Sequence, residues 1–71
     1  MPTTQSVTSS NLKEVGYEPS TRALFIEFHS GDTYRYDGVP QHVVDELLSA
    51  VSLGAYHHQH VKNSYRHTKV R

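Results

Sequence analysis

The chain has 71 residues, with seven basic and seven acidic side chains, six histidines and no cysteine. That length holds one domain at most, because domains commonly take about 100–200 residues and the smallest cores that fold alone need about 55–65. The lack of cysteine excludes disulfide staples and thiolate metal sites, and 35% hydrophobic residues with a mean hydropathy of −0.63 leave a thin core.

Residues 1–9 are rich in Thr and Ser and offer little to bury, which predicts a disordered leader that folding can do without. A single domain is then expected over residues 10–71. Its first strand is read in Asn11-Leu12-Lys13-Glu14-Val15-Gly16-Tyr17, closed by turn chemistry at Glu18-Pro19-Ser20-Thr21. The next strand is the clearest. In Ala23-Leu24-Phe25-Ile26-Glu27-Phe28, the residues Leu24, Ile26 and Phe28 recur at period two, as one face of a half-buried strand requires. Ser30-Gly31-Asp32 supplies a hairpin turn, and Thr33-Tyr34-Arg35-Tyr36 makes a third strand with both tyrosines on one face.

The loop length decides what those tyrosines do. An odd loop sets Phe28 opposite Tyr34 and Ile26 opposite Tyr36, all toward the core, with Arg35 pointing outward; a two-residue loop turns both rings to the other face as a stacking platform for bases. Removing two large rings from so thin a core would cost about 1.5–3 kcal/mol for each, which favours burial.

Gly38-Val39-Pro40 ends the sheet, and Pro40 suits the first turn of a helix, where its missing N–H would be unpaired anyway. Over residues 41–51, Val43, Val44, Leu47, Leu48 and Val51 recur at spacings of three and four, an apolar stripe opposite Asp45 and Glu46. Ser52-Leu53-Gly54 reads as a stop, with Gly54 free to adopt the left-handed C-terminal cap. A second helix is expected over about 55–65, with Gly54, Val61 and Tyr65 on a weak apolar face, and a short basic tail follows. The fold class is α+β, a small antiparallel three-stranded meander followed by two helices, βββαα.

Charge is balanced overall and divided along the chain. Three basic and seven acidic residues leave the part up to Gly54 at −4, whereas Lys62, Arg66, Lys69 and Arg71, with no acid among them, put residues 55–71 at +4. His57, His58, His60 and His67 lie in that segment, and histidine is the side chain that gains charge on mild acidification. Either the segment folds back on body acids such as Asp45 and Glu46, or it meets an anionic partner.

The ordered set Ser10-x-Leu12-x-x-Val15-Gly16-Tyr17, Leu24-x-Ile26-x-Phe28-x-x-Gly31, Tyr34-x-Tyr36-x-Gly38-Val39-Pro40, Ala50-x-Ser52-x-Gly54-x-Tyr56 and Val61-Lys62-x-x-Tyr65 resembles the KTSC domain family. The resemblance runs from Ser10 to about Val70, with the tyrosines of Tyr34-Arg35-Tyr36 as its central mark. The motif residues it assigns are Tyr34, Tyr36, Gly38, Val39, Pro40, Gly54 and Tyr65. One departure is His57, which stands where a second aromatic residue is expected and implies a less firmly docked second helix. The family is named for a segment at the C-terminus of some lysyl-tRNA synthetases and also occurs as small stand-alone bacterial and phage proteins, so the resemblance implies an RNA-binding role.

Two function classes stay open on the residues themselves. In the first, a module binds RNA or another polyanion, with Lys62, Arg66, Lys69 and Arg71 on phosphates and Arg35 and Tyr56 as accessory contacts. In the second, an exposed sheet edge or the weak helix face is completed by a protein partner or a second copy. The histidines lack a carboxylate or cysteine in their segment to complete a metal set, so no metal or cofactor is expected. No GxSxG, HExxH or phosphate-cradling glycine-rich loop is present, so neither catalysis nor a small-molecule substrate is expected. Without a signal sequence or a run of about 18 apolar residues, the expected location is the cytoplasm, with no membrane partner.

Overall fold

The computed structural model describes residues 3–7 and 11–71, with residues 3–6 described by their backbone alone. Alternation and tight turns build an antiparallel sheet in chain order from β1 (Thr3–Ser6), β2 (Leu12–Glu18), β3 (Ala23–Phe28), β4 (Thr33–Tyr36) and β5 (His67–Lys69). Helix α1 (Gln41–Ser49) and helix α2 (Leu53–Tyr56) follow β4, and α2 runs directly into a π-helical turn, His57–Val61. The class is α+β as expected, but the sheet has more than the three strands expected.

Both additions correct the reading of the chain ends. Thr3–Ser6, expected in a disordered leader, pair with β2 in a register that sets Thr4 opposite Gly16, while the rest of that leader lies outside the described residues apart from Val7. Val7 is half-buried against the core and donates its N–H to Lys13 O at 3.2 Å, so the segment does contain an apolar anchor. At the other end the basic tail supplies β5, which pairs with β4 through Tyr34↔Lys69 and Tyr36↔His67. Edge strands of Thr, Ser, His and Lys carry almost no periodic apolar signal, because their backbone rather than their side chains joins the sheet.

The β3–β4 hairpin keeps the expected faces and shifts the expected partners. Ile26 stands opposite Tyr34 and Leu24 opposite Tyr36, two residues from the expected pairing. The loop is His29-Ser30-Gly31: Phe28 N–H donates to Asp32 O at 2.9 Å, Gly31 N–H donates to Phe28 O at 2.9 Å, and Gly31 takes a φ of +98°. Three-residue hairpins place a left-handed glycine there. The loop is odd, so the slip of two leaves both tyrosines on the core side.

Pro40 stands just ahead of α1, and its carbonyl accepts from Val43 and Val44 N–H. The helix ends at Ser49, two residues before expected, where Ala50 N–H turns back to Leu47 O. Val51 therefore leaves the apolar stripe and is fully exposed, whereas Val43, Val44 and Leu47 are buried. The second helix also begins earlier than expected, because Ser52 Oγ accepts from Ala55 N–H at 3.2 Å and acts as an N-cap. Gly54 consequently lies inside α2 instead of closing α1; a Cβ there would sit 2.9 Å from Asn11 Nδ2, so the glycine lets α2 approach the start of β2. The turn His57–Val61 closes with Lys62 N–H donating to His57 O at 2.8 Å, five residues back, and helical structure stops short of Tyr65.

One face of the sheet meets the helices. Leu12, Val15, Tyr17, Leu24, Ile26 and Tyr36 pack with Val39, Val43, Val44, Leu47 and Val61. Gly38, at a φ of +74°, turns the chain from β4 toward α1 and brings Val39 into the core, where its carbonyl accepts from Tyr17 Oη. No helix among the described residues is long and apolar enough to cross a membrane.

Candidate ligand-binding cleft

Strand β4 projects Tyr34 and Tyr36 to the core side, and the adjoining strands add Phe28 and His67 to the same end of the sheet. The π turn brings His57 down onto them. Five rings then pack edge to face or tilted: Phe28 lies 5.9 Å from Tyr34 and 5.3 Å from His57, while His67 lies 5.9 Å from Tyr34 and 5.5 Å from Tyr36. Such contacts set the positive edge of one ring against the negative face of another.

Tyr36 and His57 form the buried end of this cluster. Tyr36 is 2% exposed and His57 8%, their ring centres are 5.4 Å apart, and Tyr36 Oη lies 2.6 Å from His57 Nε2. Burial pushes the Tyr36 phenol up to about 12, with the neighbouring Tyr34 adding to it. Burial likewise pushes the His57 imidazole down to about 4, helped by the positive charge of Lys62 and by His58 and His67. At neutral pH the phenol therefore donates and Nε2 accepts. The proton of the neutral ring is left on Nδ1, a donor with no partner among the described residues. The position expected to carry an aromatic residue thus carries an imidazole that packs as one, and it docks the π turn firmly.

Above this floor lies an open cleft of about 500 Å³. Its walls come from Asn11 and Gly54 on one side and from His29 and Ser30 of the hairpin loop on another, with His58 and Lys62 at the helical rim. No carboxylate lines it among the described residues. The same residues include no group of three or more His, Asp or Glu side chains placed to hold a metal ion.

The six residues expected to meet RNA are not gathered in one place. Lys62 lines the cleft and is exposed. Arg35 lies on the opposite face of the sheet with Nε 3.0 Å from Asp37 Oδ1, and Lys69 Nζ is 3.2 Å from Asp32 Oδ1, so part of the basic segment does fold back on a body acid. Arg66 is exposed, with its carbonyl accepting from Asp37 N–H. Arg71 reaches the far face, its backbone paired with Thr33. Tyr56 stays out of the cleft: it donates to Glu46 Oε1 at 2.8 Å and its ring lies 4.6 Å from His60. Burial and then the hydrogen bond to Glu46 raise its phenol above the usual range.

Among the motif residues, Tyr36 and Val39 are core, Tyr34 and Tyr65 are half-buried against it, Gly38 and Pro40 shape the entry to α1, and Gly54 lines the cleft. Reasoning on charge alone missed Phe28, His29 and His57 as cleft residues. A signal for His57 was present in its aromatic position of the motif.

The fold and its ring-floored cleft define a small α+β module with an open cleft at the β3–β4 hairpin end of the sheet. The KTSC domain model matches residues 8–65, and the chain belongs to the KTSC domain family. A protein of Stutzerimonas stutzeri (strain A1501) is 44% identical over 63 residues, covering 87% of this chain and 89% of its own. A lysine–tRNA ligase of Nostoc sp. (strain PCC 7120) is 39% identical over 61 residues, which make up 86% of this chain and 11% of the ligase. The crystal structure of a KTSC domain protein from Yersinia pestis superposes with a TM-score of 0.96 at 34% identity, over the full length of both chains.

Proposed function

We propose that the chain is an RNA-binding module that takes RNA weakly, with little sequence preference, in the cleft above Tyr34, Tyr36 and His57. The observation that carries this reading is the lining: aromatic rings, imidazoles and Lys62 without a carboxylate among the described residues, in a protein of zero formal net charge. A base stacked on such rings gains about 1–3 kcal/mol, and any base has a face to stack. Lys62 takes the adjoining phosphate. His57 Nδ1–H adds a neutral donor that stays neutral until the pH approaches 4. The relatives named lysine–tRNA ligases support the reading, since their names place a homologous segment within enzymes that act on tRNA.

Because Lys69 is held in an ion pair and Arg71 lies on the far face of the sheet, fewer phosphates are engaged than the four counted from the basic segment. The salt dependence is correspondingly shallow, with about −0.7 in the slope of log K against log salt for each phosphate of a single strand. Titration of a labelled single-stranded RNA at low salt tests this. Binding in the range of about 10⁻⁴–10⁻⁶ M that weakens severalfold in Lys62→Gln is the expected result. Absence of binding at about 100 μM protein contradicts it and turns attention to the protein-interaction reading.

A further inference from the structure

The opposite face of the sheet carries a smaller cleft of about 280 Å³. Its floor is a row across three strands, with Glu14 directly opposite Glu27 and Glu27 directly opposite Thr33. Like charges in directly opposed positions destabilise a sheet. Neither carboxylate is relieved by a cation among the described residues, where the ion pairs join Arg35 to Asp37 and Lys69 to Asp32. Thr33 is a second and independent sign: it is 8% exposed, it lines the cleft, and its Oγ1 has no hydrogen-bond partner among the described residues. Phe25 completes the floor. Its cross-strand neighbour on β2 is Gly16, which has no side chain to cover the half-buried ring.

We propose that this cleft seats an arginine side chain from a basic segment of a protein partner. Two carboxylates beside an aromatic ring are the set a guanidinium satisfies: its plane lies on the ring while its fork of N–H donors reaches the carboxylate oxygens. The volume is just below the roughly 300–1,000 Å³ of pockets for drug-sized ligands, and it suits one side chain better than a larger molecule. Arg35 stands across from Phe25 on β4, but its guanidinium is engaged by Asp37. Arg71 is exposed at the rim, unpaired with either glutamate among the described residues, and competes with the incoming cation. The site lies across the sheet from the ring-floored cleft and does not depend on RNA binding there.

The test is a titration with acetyl-Gly-Arg-Gly amide and with its citrulline counterpart, which keeps the shape and loses the charge, followed by backbone amide NMR shifts. The arginine peptide shifts Glu14, Phe25, Glu27 and Thr33 and binds at least tenfold more tightly than the citrulline peptide. Glu27→Gln weakens arginine binding at least tenfold without lowering the melting temperature, because it removes one of two opposed charges, and Arg71→Gln tightens it. Equal binding of the two peptides, indifference to Glu27→Gln, or absence of binding in both wild type and Arg71→Gln overturns the proposal. A dimer of the free protein that Glu27→Gln disperses also overturns it, since the occupant is then a second copy.

Discussion

Tyr36 Oη lies 2.6 Å from His57 Nε2, and this contact ties β4 to the π turn beneath the cleft. It sets the tautomer of a buried imidazole, holds the helical layer on the sheet and fixes a donor at the cleft floor.

Stability should fall with acid in a window set by His57. Its folded pKa, about 4, lies below the unfolded reference of about 6.5, so between those values the unfolded chain binds the extra proton. The contribution is therefore complete above about pH 6.5 and lost as the pH falls toward 4. At about 1.4 kcal/mol per pKa unit the ceiling is about 3 kcal/mol, and water reaching the ring from the cleft reduces it to about 2. Melting temperatures measured from pH 7 to 4 should fall in wild type and fall less in His57→Phe; identical profiles would show that His57 is not the group responsible.

Replacing Tyr36 by Phe keeps the ring and removes the donor. Nε2 is then buried without its partner, at a cost of about 1–3 kcal/mol. Tyr36→Ala also removes the packing and costs about 3–5 kcal/mol. Chemical denaturation of both variants checks the order, and Tyr36→Phe as stable as wild type would refute the role given to the hydrogen bond.

Deleting residues 1–7 should destabilise the domain, against the expectation that a Thr- and Ser-rich leader is dispensable. The deletion strips the β1 ladder from β2 and removes Val7, whose half-buried side chain alone is worth roughly 1 kcal/mol. An unchanged denaturation midpoint would restore the earlier view.

Gly38→Ala isolates a backbone effect. A Cβ there meets nothing within 4 Å, so the only penalty is the φ of +74°, about 1–2 kcal/mol. Gly38→Asn should cost less, because Asn tolerates the left-handed region better. Equal losses for the two variants would point to something other than φ.

Particular residues explain how much of this was legible in the sequence. Strands β2, β3 and β4 and helix α1 announced themselves because Val15, Tyr17, Leu24, Ile26, Val43, Val44 and Leu47 must all point one way to make a single core. The face of Tyr34 and Tyr36 followed from loop parity alone, although the loop proved to be residues 29–31 and the partners moved by two. β1 and β5 were hidden because an edge strand needs backbone pairing more than apolar side chains. The cleft was hidden for a different reason: charge counting pointed to Lys62 but also to Arg35, Lys69 and Arg71, which the sheet disperses to other sides. Its buried member, His57, carries a signal only in its aromatic position of the family motif, and its contacts with Tyr36 and Phe28 arise from the fold.

The most direct test of RNA binding in the ring-floored cleft is a backbone and side-chain NMR titration at pH 7 and low salt with a short single-stranded RNA. The account predicts that shifts concentrate on Phe28, Tyr34, His57, His58, Lys62 and His67, and that Lys62→Gln weakens them together. Shifts confined to Glu14, Phe25, Glu27 and Arg71 on the other face, or none with about 100 μM protein, would contradict it.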